Sequence, residues 1–457
     1  MHLSDLQNRK IAILGYGIEG RAVADFLDRR GVKYAVLDKK DGEDYLKGLS
    51  DYEIIFRSAG IRADLPEIKK AVAGGARLTS QIKFFMENCP AQIIGVTGTK
   101  GKGTTAKLIY EILKRAGKSV YLAGNIGIAA IGMLDELKAD DMVVLELSSF
   151  QLQDMQTSPH IAVVLMVVPE HLDYHTDAAE YAAAKSAITK FQTSRDFAVI
   201  NFDSEIAMDI GRQGSAKKLY VQTVSANGLA EASPFEAYKP DGFLKIKDGV
   251  FAEQAHGQIF TVDNGDLKFF CNVSDLPLRG FHNVQNAGAA IAVANILGIN
   301  TQVILEAARE YKGLEHRLEF VCERQGVKFY NDSIGTTPES ALAAMHSFSE
   351  PMIAILGGFD KKGDYEGLAR EASKIKNLKA VILIGQTGPQ LKKLFAASGY
   401  DGAIKEGAAG MKEIFAQIGK IAQKGDVVLL SPATSSFDMF KDYKDRGEQF
   451  KKMAMEF

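Results

Sequence analysis

Short runs of Val, Ile and Leu, each closing on Gly, Asp, Asn or Ser, alternate with longer stretches of helical spacing along most of the chain. A strand buried on both faces reads as a continuous apolar run, and a parallel neighbour requires a helical crossover, so this alternation predicts parallel sheets covered by helices. Three blocks emerge, 1–91, 92–313 and 314–457. The first contains the apolar run IAIL (11–14), a helix-compatible segment from Arg21 to Arg29, and a second run, YAVLD, ending at Asp38. Pro90 in ENCPAQ interrupts the pattern just before IIGV, which places the first boundary there. The second block is expected to hold strands near 93–96, 142–147, 161–168 and 197–200. Between about 218 and 276 the texture shifts to short alternating runs with turn signals (KPDG, DNGD), which predicts a small antiparallel insertion. The helix NVQNAGAAIAVANILG, stopped by Gly298, closes this block. The third restarts with strands in FVCERQGVKFYND, PMIAILGG, AVILIG and DVVLLS. No short-period repeat or heptad run is visible, which argues against a solenoid or coiled coil.

Composition narrows the classes of function. The 457 residues suit about three domains, and 46% apolar content fills their cores. A net charge of −2 supplies no basic footprint for nucleic acid or an anionic membrane surface. Cys89, Cys271 and Cys322 are odd in number and lack ligand spacing, so free thiols in a reducing compartment are expected. The longest apolar run, IAVVLMVV (161–168), is too short to span a bilayer, and MHLSDLQNRK lacks the pattern of a secretory signal. A soluble cytoplasmic protein is expected, with neither nucleic acid nor membrane as a partner.

Two strand–glycine–helix segments carry the candidate chemistry. In IAILGYGIEGRA, Gly15, Gly17 and Gly20 have dinucleotide spacing and Asp38 follows at the end of the next run. Such a turn brings backbone N–H groups against a diphosphate, and nothing in it specifies a nicotinamide. The segment IIGVTGTKGKGTTAKLIYEIL (93–113) is the stronger signal. Its turn, Gly98, Thr99, Lys100, Gly101, Lys102, Gly103, Thr104 and Thr105, can cradle phosphates while Lys102 neutralises their charge. Gly103 stands where a magnesium-binding hydroxyl usually follows the lysine, so Thr104 or Thr105 must supply it or the metal must use other ligands. Glu146, near the end of the run MVVLE, is placed to reach such an ion, and Pro169-Glu170-His171 arrives at the same sheet edge. Spacing alone leaves His171 open between structural residue, metal ligand and base. It makes Lys185, in YAAAKSAI, an ordinary solvated lysine. Asn283 and Asn286 share one helix face, suited either to capping or to reading an adenine edge or a sugar. Ser435 and Ser436, after the run VVLLS, mark an expected helix start able to hold an anion.

The ordered set GTKGKGTT, ELSSFQL, PEHLD, YAAAKSAI, FHNVQNAGAA, LEHRLE, NDSIGTTPES, LGGFDKK and LSPATSSFDMF resembles the Mur ligase family along essentially the whole chain, with SSFQL and SPATSSFDMF most specific to its D-glutamate-adding branch. That resemblance implies an α/β protein of three domains. The first (1–91) is Rossmann-like, the second (92–313) has a P-loop ATPase-like parallel sheet with the antiparallel insertion, and the third (314–457) is Rossmann-like. It implies ATP-dependent amide formation through an acyl phosphate on a UDP-linked N-acetylmuramoyl-L-alanine, with small molecules as the only partners and a monomer as the working state. A uridine diphosphate then suits the first glycine turn better than NAD. The resemblance implies that Gly15, Tyr16, Gly17, Ile18, Asp38, Lys39, Ser58, Ala59, Gly60 and Asn125 bind the sugar nucleotide. ATP would be met by residues 98–105, Asn283, Asn286, His316, Arg317 and Asp332. Magnesium would be held by Thr104, Glu146, His171 and Lys185, the last as a carbamate. D-Glutamate would be bound by Thr336, Lys361, Ser436, Phe437 and Tyr443. Lys102, His171, Lys185, Arg317 and Lys361 would be catalytic. Ile334 departs from the lysine common at its place in the family.

Overall fold

The computed structural model describes residues 1–125, 128–168, 170, 174–224, 244–254, 256–277 and 280–457. Three sheets organise them. In the first, β1 (Ile11–Leu14), β2 (Tyr34–Leu37), β3 (Ile54–Arg57) and β4 (Arg77–Thr79) lie parallel in the order β2-β1-β3-β4. Helices α1 (Ile18–Asp28), α2 (Pro66–Ala73) and α3 (Gln81–Asn88) make the connections. Residues 89–91 then lead into β5 (Gln92–Thr97).

The second sheet adds β6 (Val120–Gly124), β7 (Met142–Glu146), β8 (Ile161–Val164), β9 (Phe197–Asn201), β10 (Lys217–Val224), β11 (Gly249–Glu253), β12 (Gln258–Asp263) and β13 (Asp266–Asn272). Its order is β13-β12-β11-β10-β9-β8-β5-β7-β6. The strands from β6 to β11 pair in parallel, and only β11–β12–β13 form an antiparallel meander. The expected antiparallel segment therefore continues the central sheet, entered through the parallel β10–β11 pair. KPDG, one of its two turn signals, lies outside the described residues, whereas DNGD forms the β12–β13 reversal. The strand expected over 161–168 ends at Val164. Beyond it, Leu165 N–H still bonds Thr97 O at 2.9 Å, and the carbonyls of Met166 and Val168 turn to Thr99. Helices α4 (Lys102–Arg115), α5 (Ser149–Leu152), α6 (Ala178–Lys190) and α7 (Glu205–Gly211), with helices Phe281–Ile296 and Thr301–Glu310, cover this sheet.

One apolar core crosses from the first sheet to the second. Phe26 and Phe56 stack edge-on against Phe84 at 5.8 and 5.5 Å, and the same cluster continues through Ile131, Leu145 and Ala162. Contacts accordingly gather Met1–Pro277 and Phe281–Tyr311 into one compact unit and Lys312–Phe457 into another. The latter is built on β14 (Glu319–Arg324), β15 (Val327–Asn331), β16 (Met352–Gly357), β17 (Leu378–Ile384), β18 (Ala403–Ala408) and β19 (Val427–Leu430), ordered β14-β15-β19-β16-β17-β18. All pairs are parallel except β14–β15. The helix expected after Ser436 is absent there. Ser436 O accepts only the N–H groups of Met439 and Phe440, and the helix Tyr443–Met455 starts later because Asp442 caps it through Asp445 N–H at 2.9 Å.

Candidate functional site

Alternation of strand and helix puts the loops of the first unit at the carboxyl ends of parallel strands, where α/β proteins place ligands. After β1, Gly15 takes φ +87° and its N–H bonds Leu37 O at 2.8 Å. Gly20 admits no side chain, since an added Cβ would lie 2.0 Å from Gly15 O. At Gly17 such an atom would meet nothing within 4 Å, so this stretch of backbone faces open space. Asp38 accepts the N–H of Lys40 at 3.0 Å and of Tyr16 at 2.6 Å, and these two bonds hold its carboxyl below the usual carboxylate range. Ser58 Oγ donates to Gly15 O at 3.0 Å. A cavity of about 710 Å³ results, lined by Gly15, Tyr16, Gly17, Ile18, Asp38, Lys39, Ser58, Ala59, Gly60 and Asn125. Every residue expected at the sugar nucleotide thus faces one space. Glu19, Tyr45, Arg62, Phe150 and Gln151 also line it and were not singled out by sequence reasoning, although Phe150 and Gln151 sit inside the quoted SSFQL.

The second strand–turn–helix runs from β5 into α4. Gly101 caps the helix at φ +86°, and an added Cβ would meet Asn286 Oδ1 at 2.1 Å. Asn286 in turn donates to Asn283 Oδ1 at 2.9 Å, so both asparagines lie inside their helix beside the loop and Asn283 does not serve as its cap. Lys102 Nζ folds back to the carbonyls of Thr99 (2.9 Å) and Gly98 (3.2 Å). Thr99 Oγ1 bonds Val168 O and Tyr181 OH, which ties the loop to α6. Lys100 pairs with Glu170 at the surface. Lys102, Gly103 and Thr104 open α4, whose next residue, Thr105, is fully buried with an Oγ1 that has no hydrogen-bond partner.

Glu146 ends β7 beside β5, in register with Val96. It is buried, and its Oε2 also lacks a hydrogen-bond partner, an arrangement that a cation would satisfy. Its other oxygen accepts Asn125 Nδ2 at 3.3 Å. Lys185, on α6, contradicts its reading from spacing alone. It is buried, donates to Gly98 O at 3.0 Å, and is brought down to about 7, first by burial and then by repulsion from Lys102. His171 lies outside the described residues.

Loop 58–62 is fastened from the central sheet's side as well. Buried Arg57 donates to Ala59 O at 3.2 Å and to Ile61 O, and its Nη2 stands 3.2 Å from Asp154. Tyr174 OH reaches Ala59 O at 3.2 Å, and Arg62 bridges Asp64, Tyr174 O and Glu180. Neither Arg57 nor Asp154 carries a signal in the sequence, and only the fold brings the two together.

In the second unit three loops meet at the carboxyl ends of β15, β16 and β19. Phe359 and Ser435 form a β-bridge, Ser333 Oγ donates to Tyr443 O at 2.8 Å, and fully buried Arg446 donates to Ser333 O (2.8 Å) and Thr434 O (3.3 Å). Ser436 is buried, Thr336 and Tyr443 are half-buried, and Lys361 and Phe437 are exposed. His316, at φ +63°, bonds Asn331 at 2.9 Å, with Arg317 next to it. Burial pushes the Asp332 carboxyl up to about 6, while Ser431 at 2.7 Å and Arg317 draw it the other way. Glu315, His316 and Glu448 cluster closely, but Lys451 Nζ already stands 2.6 and 2.9 Å from the two carboxylates.

Two family models match the chain, the Mur ligase middle domain over residues 96–294 and the Mur ligase glutamate ligase domain over 316–434. The chain is 37% identical to the UDP-N-acetylmuramoylalanine–D-glutamate ligase of Acetivibrio thermocellus, covering 98% of this chain and 97% of that one. The protein of the same name from Clostridium tetani is also 37% identical, over 98% and 96%. Among solved structures, MurF from Acinetobacter baumannii superposes with a TM-score of 0.60 at 18% identity, covering 100% of this chain and 93% of that one, a likeness of fold.

Proposed function

The chain belongs to the Mur ligase family, and on that premise we propose that it joins D-glutamate to UDP-N-acetylmuramoyl-L-alanine, converting ATP to ADP and phosphate, as a step in making peptidoglycan precursors. Asn125 carries the reading. It lines the sugar-nucleotide cavity, its main-chain N–H bonds Glu146 O at 3.0 Å, and its amide bonds the Glu146 carboxylate. The acceptor pocket and the carboxylate next to the phosphate loop therefore share a residue. A dehydrogenase built on the first glycine turn would leave the second loop and Glu146 without a task.

The chemistry requires two anions to meet. An oxygen of the alanyl carboxylate attacks the γ-phosphorus and ADP leaves; the neutral amino nitrogen of D-glutamate then attacks the acyl carbon and gives up a proton to solvent, and the tetrahedral adduct expels phosphate. The loop N–H groups of residues 98–105 cradle the triphosphate, and Lys102 offsets its charge. Asn283 and Asn286, with His316, Arg317 and Asp332, are assigned to the nucleotide. The orphan oxygens of Glu146 and Thr105 suit magnesium, with Thr104 and His171 completing the assigned set. Magnesium, when bound, neutralises charge on the phosphates. Thr336, Lys361, Ser436, Phe437 and Tyr443 are assigned to D-glutamate.

Lys185 is assigned as a carbamate. At about 7 its amine is substantially neutral near physiological pH, and a neutral amine adds to carbon dioxide, forming an N–C bond and releasing a proton to solvent. A cation is thereby exchanged for oxygen donors. The protein is taken to act as a cytoplasmic monomer. No described helix is long and apolar enough to cross a membrane.

Incubation with ATP, magnesium, UDP-N-acetylmuramoyl-L-alanine and D-glutamate, followed by mass spectrometry, tests the reading. All four are required, the sugar nucleotide gains one glutamyl residue, and oxygen label in the alanyl carboxylate passes into phosphate. Glutamylated folate instead, or an absorbance change with NAD, replaces the proposal with a rival.

A further inference from the structure

Glu19 occupies the fifth place of GYGIEG, in the first turn of α1, where a phosphate would be drawn to the helix N-terminus. A carboxylate there is at first sight a liability for binding a diphosphate. The hydrogen bonds show how its charge is used. Oε2 accepts the Ala59 N–H at 2.8 Å, and Oε1 accepts the side-chain amides of Gln151 at 2.9 Å and Gln81 at 3.2 Å. Both glutamines are buried and have their opposite ends committed. Gln151 Oε1 takes the Ser148 N–H at 3.1 Å, and Gln81 Oε1 takes the Ile131 N–H at 3.3 Å. One side chain therefore connects the glycine turn, the loop after β3, the start of α3, the start of α5 and the segment after β6.

We propose that Glu19 is a positioning residue for the sugar-nucleotide pocket, fixing Ala59 and Gln151, which line the cavity from the first and second sheets, against the glycine turn. The inference rests on that cavity being the sugar-nucleotide site. Three N–H donors and the helix terminus absorb the carboxylate's charge, so its contribution to ligand binding is geometric. The opposite sign is expected of a plain negative charge facing a diphosphate, and the two roles separate cleanly.

The test measures binding of UDP-N-acetylmuramoyl-L-alanine and of ADP with magnesium, by titration calorimetry, to the full chain and its variants. Glu19→Gln keeps the shape but turns an N–H₂ group toward a donor. It is expected to weaken the sugar nucleotide by about tenfold or more, and ADP by no more than about twofold. Gln81→Leu removes a partner of Glu19 that does not line the cavity. It is expected to shift affinity in the same direction by roughly threefold, and it carries the test if the first variant does not fold. Unchanged or tighter sugar-nucleotide binding in the variants, or equal loss of both ligands, overturns the proposal. A wild-type chain that fails to bind the sugar nucleotide overturns the functional reading and this inference together. A wild-type chain that binds it, with variants unaltered, overturns the inference alone.

Discussion

The turn after β1 and the loop after β5 both send a buried parallel strand into a helix N-terminus, yet they are equipped differently. At the first, Gly17 faces open space, the nearby carboxylates Asp38 and Glu19 are spent on backbone and amide N–H groups, and the cavity wall is drawn from two sheets. At the second, Gly101 is pressed against Asn286, two lysines converge on the carbonyl of Gly98, and buried oxygens of Glu146 and Thr105 lack partners. On the proposed reading, one device holds a diphosphate and the other breaks a triphosphate. What separates them is the charge and the unsatisfied oxygen placed around the glycines, since the backbone pattern is shared.

Four substitutions and one change of pH test that division. Lys102→Ala is expected to lower turnover by about a thousandfold while the melting temperature and sugar-nucleotide affinity stay near wild type; a near-normal rate would remove the loop from the reaction. Lys185→Ala should cost on the order of a hundredfold in rate, with partial recovery on adding formate or acetate. Absence of both recovery and carbon dioxide dependence would dismiss the carbamate. The same lysine sets a pH effect. Its folded value is lowered from 10.5 to about 7, so labelled carbon dioxide should be incorporated increasingly as pH rises through 7. Across the window from about 7 to 10.5 the unfolded chain retains a proton that the folded chain has lost, so this group's contribution to stability rises with pH and is least favourable below 7. Incorporation that is flat through neutrality would mean that the amine is not depressed. Smallest is the glycine pair. Gly20→Ala should destabilise by about 1–3 kcal/mol through its clash with Gly15 O, whereas Gly17→Ala should leave the melting temperature unchanged and raise KM for the sugar nucleotide alone. Equal melting losses for both would erase the contrast.

The β5 loop is legible in the sequence because four local signals coincide within about a dozen residues: apolar run, glycines, lysine and helical spacing. The first glycine turn is legible from the same signals without the lysine, and so are the strands that lead to Asp38, Glu146 and Asp332. What stayed hidden depends on contacts between distant residues. Glu19 meets Gln151 across 132 positions, and Arg57 gains its partner Asp154 only when two sheets pack. Isolated charges of this kind read as surface. Lys185 was assigned through family resemblance, since only the fold shows an amine enclosed beside Gly98. The expected helix after Ser436 failed because serines cap helices only where the chain goes on to coil, and here Asp442 takes that part. Strand β6 was not singled out because VYLAG is only half-buried and its apolar signal is correspondingly weak.

The ammonium of Lys102 rests on two carbonyls of its own loop. On the proposed reading, nucleotide capture is a swap in which an arriving phosphate takes the place of the Gly98 and Thr99 carbonyls at Lys102, and a nucleoside without a phosphate tail would gain nothing from this lysine.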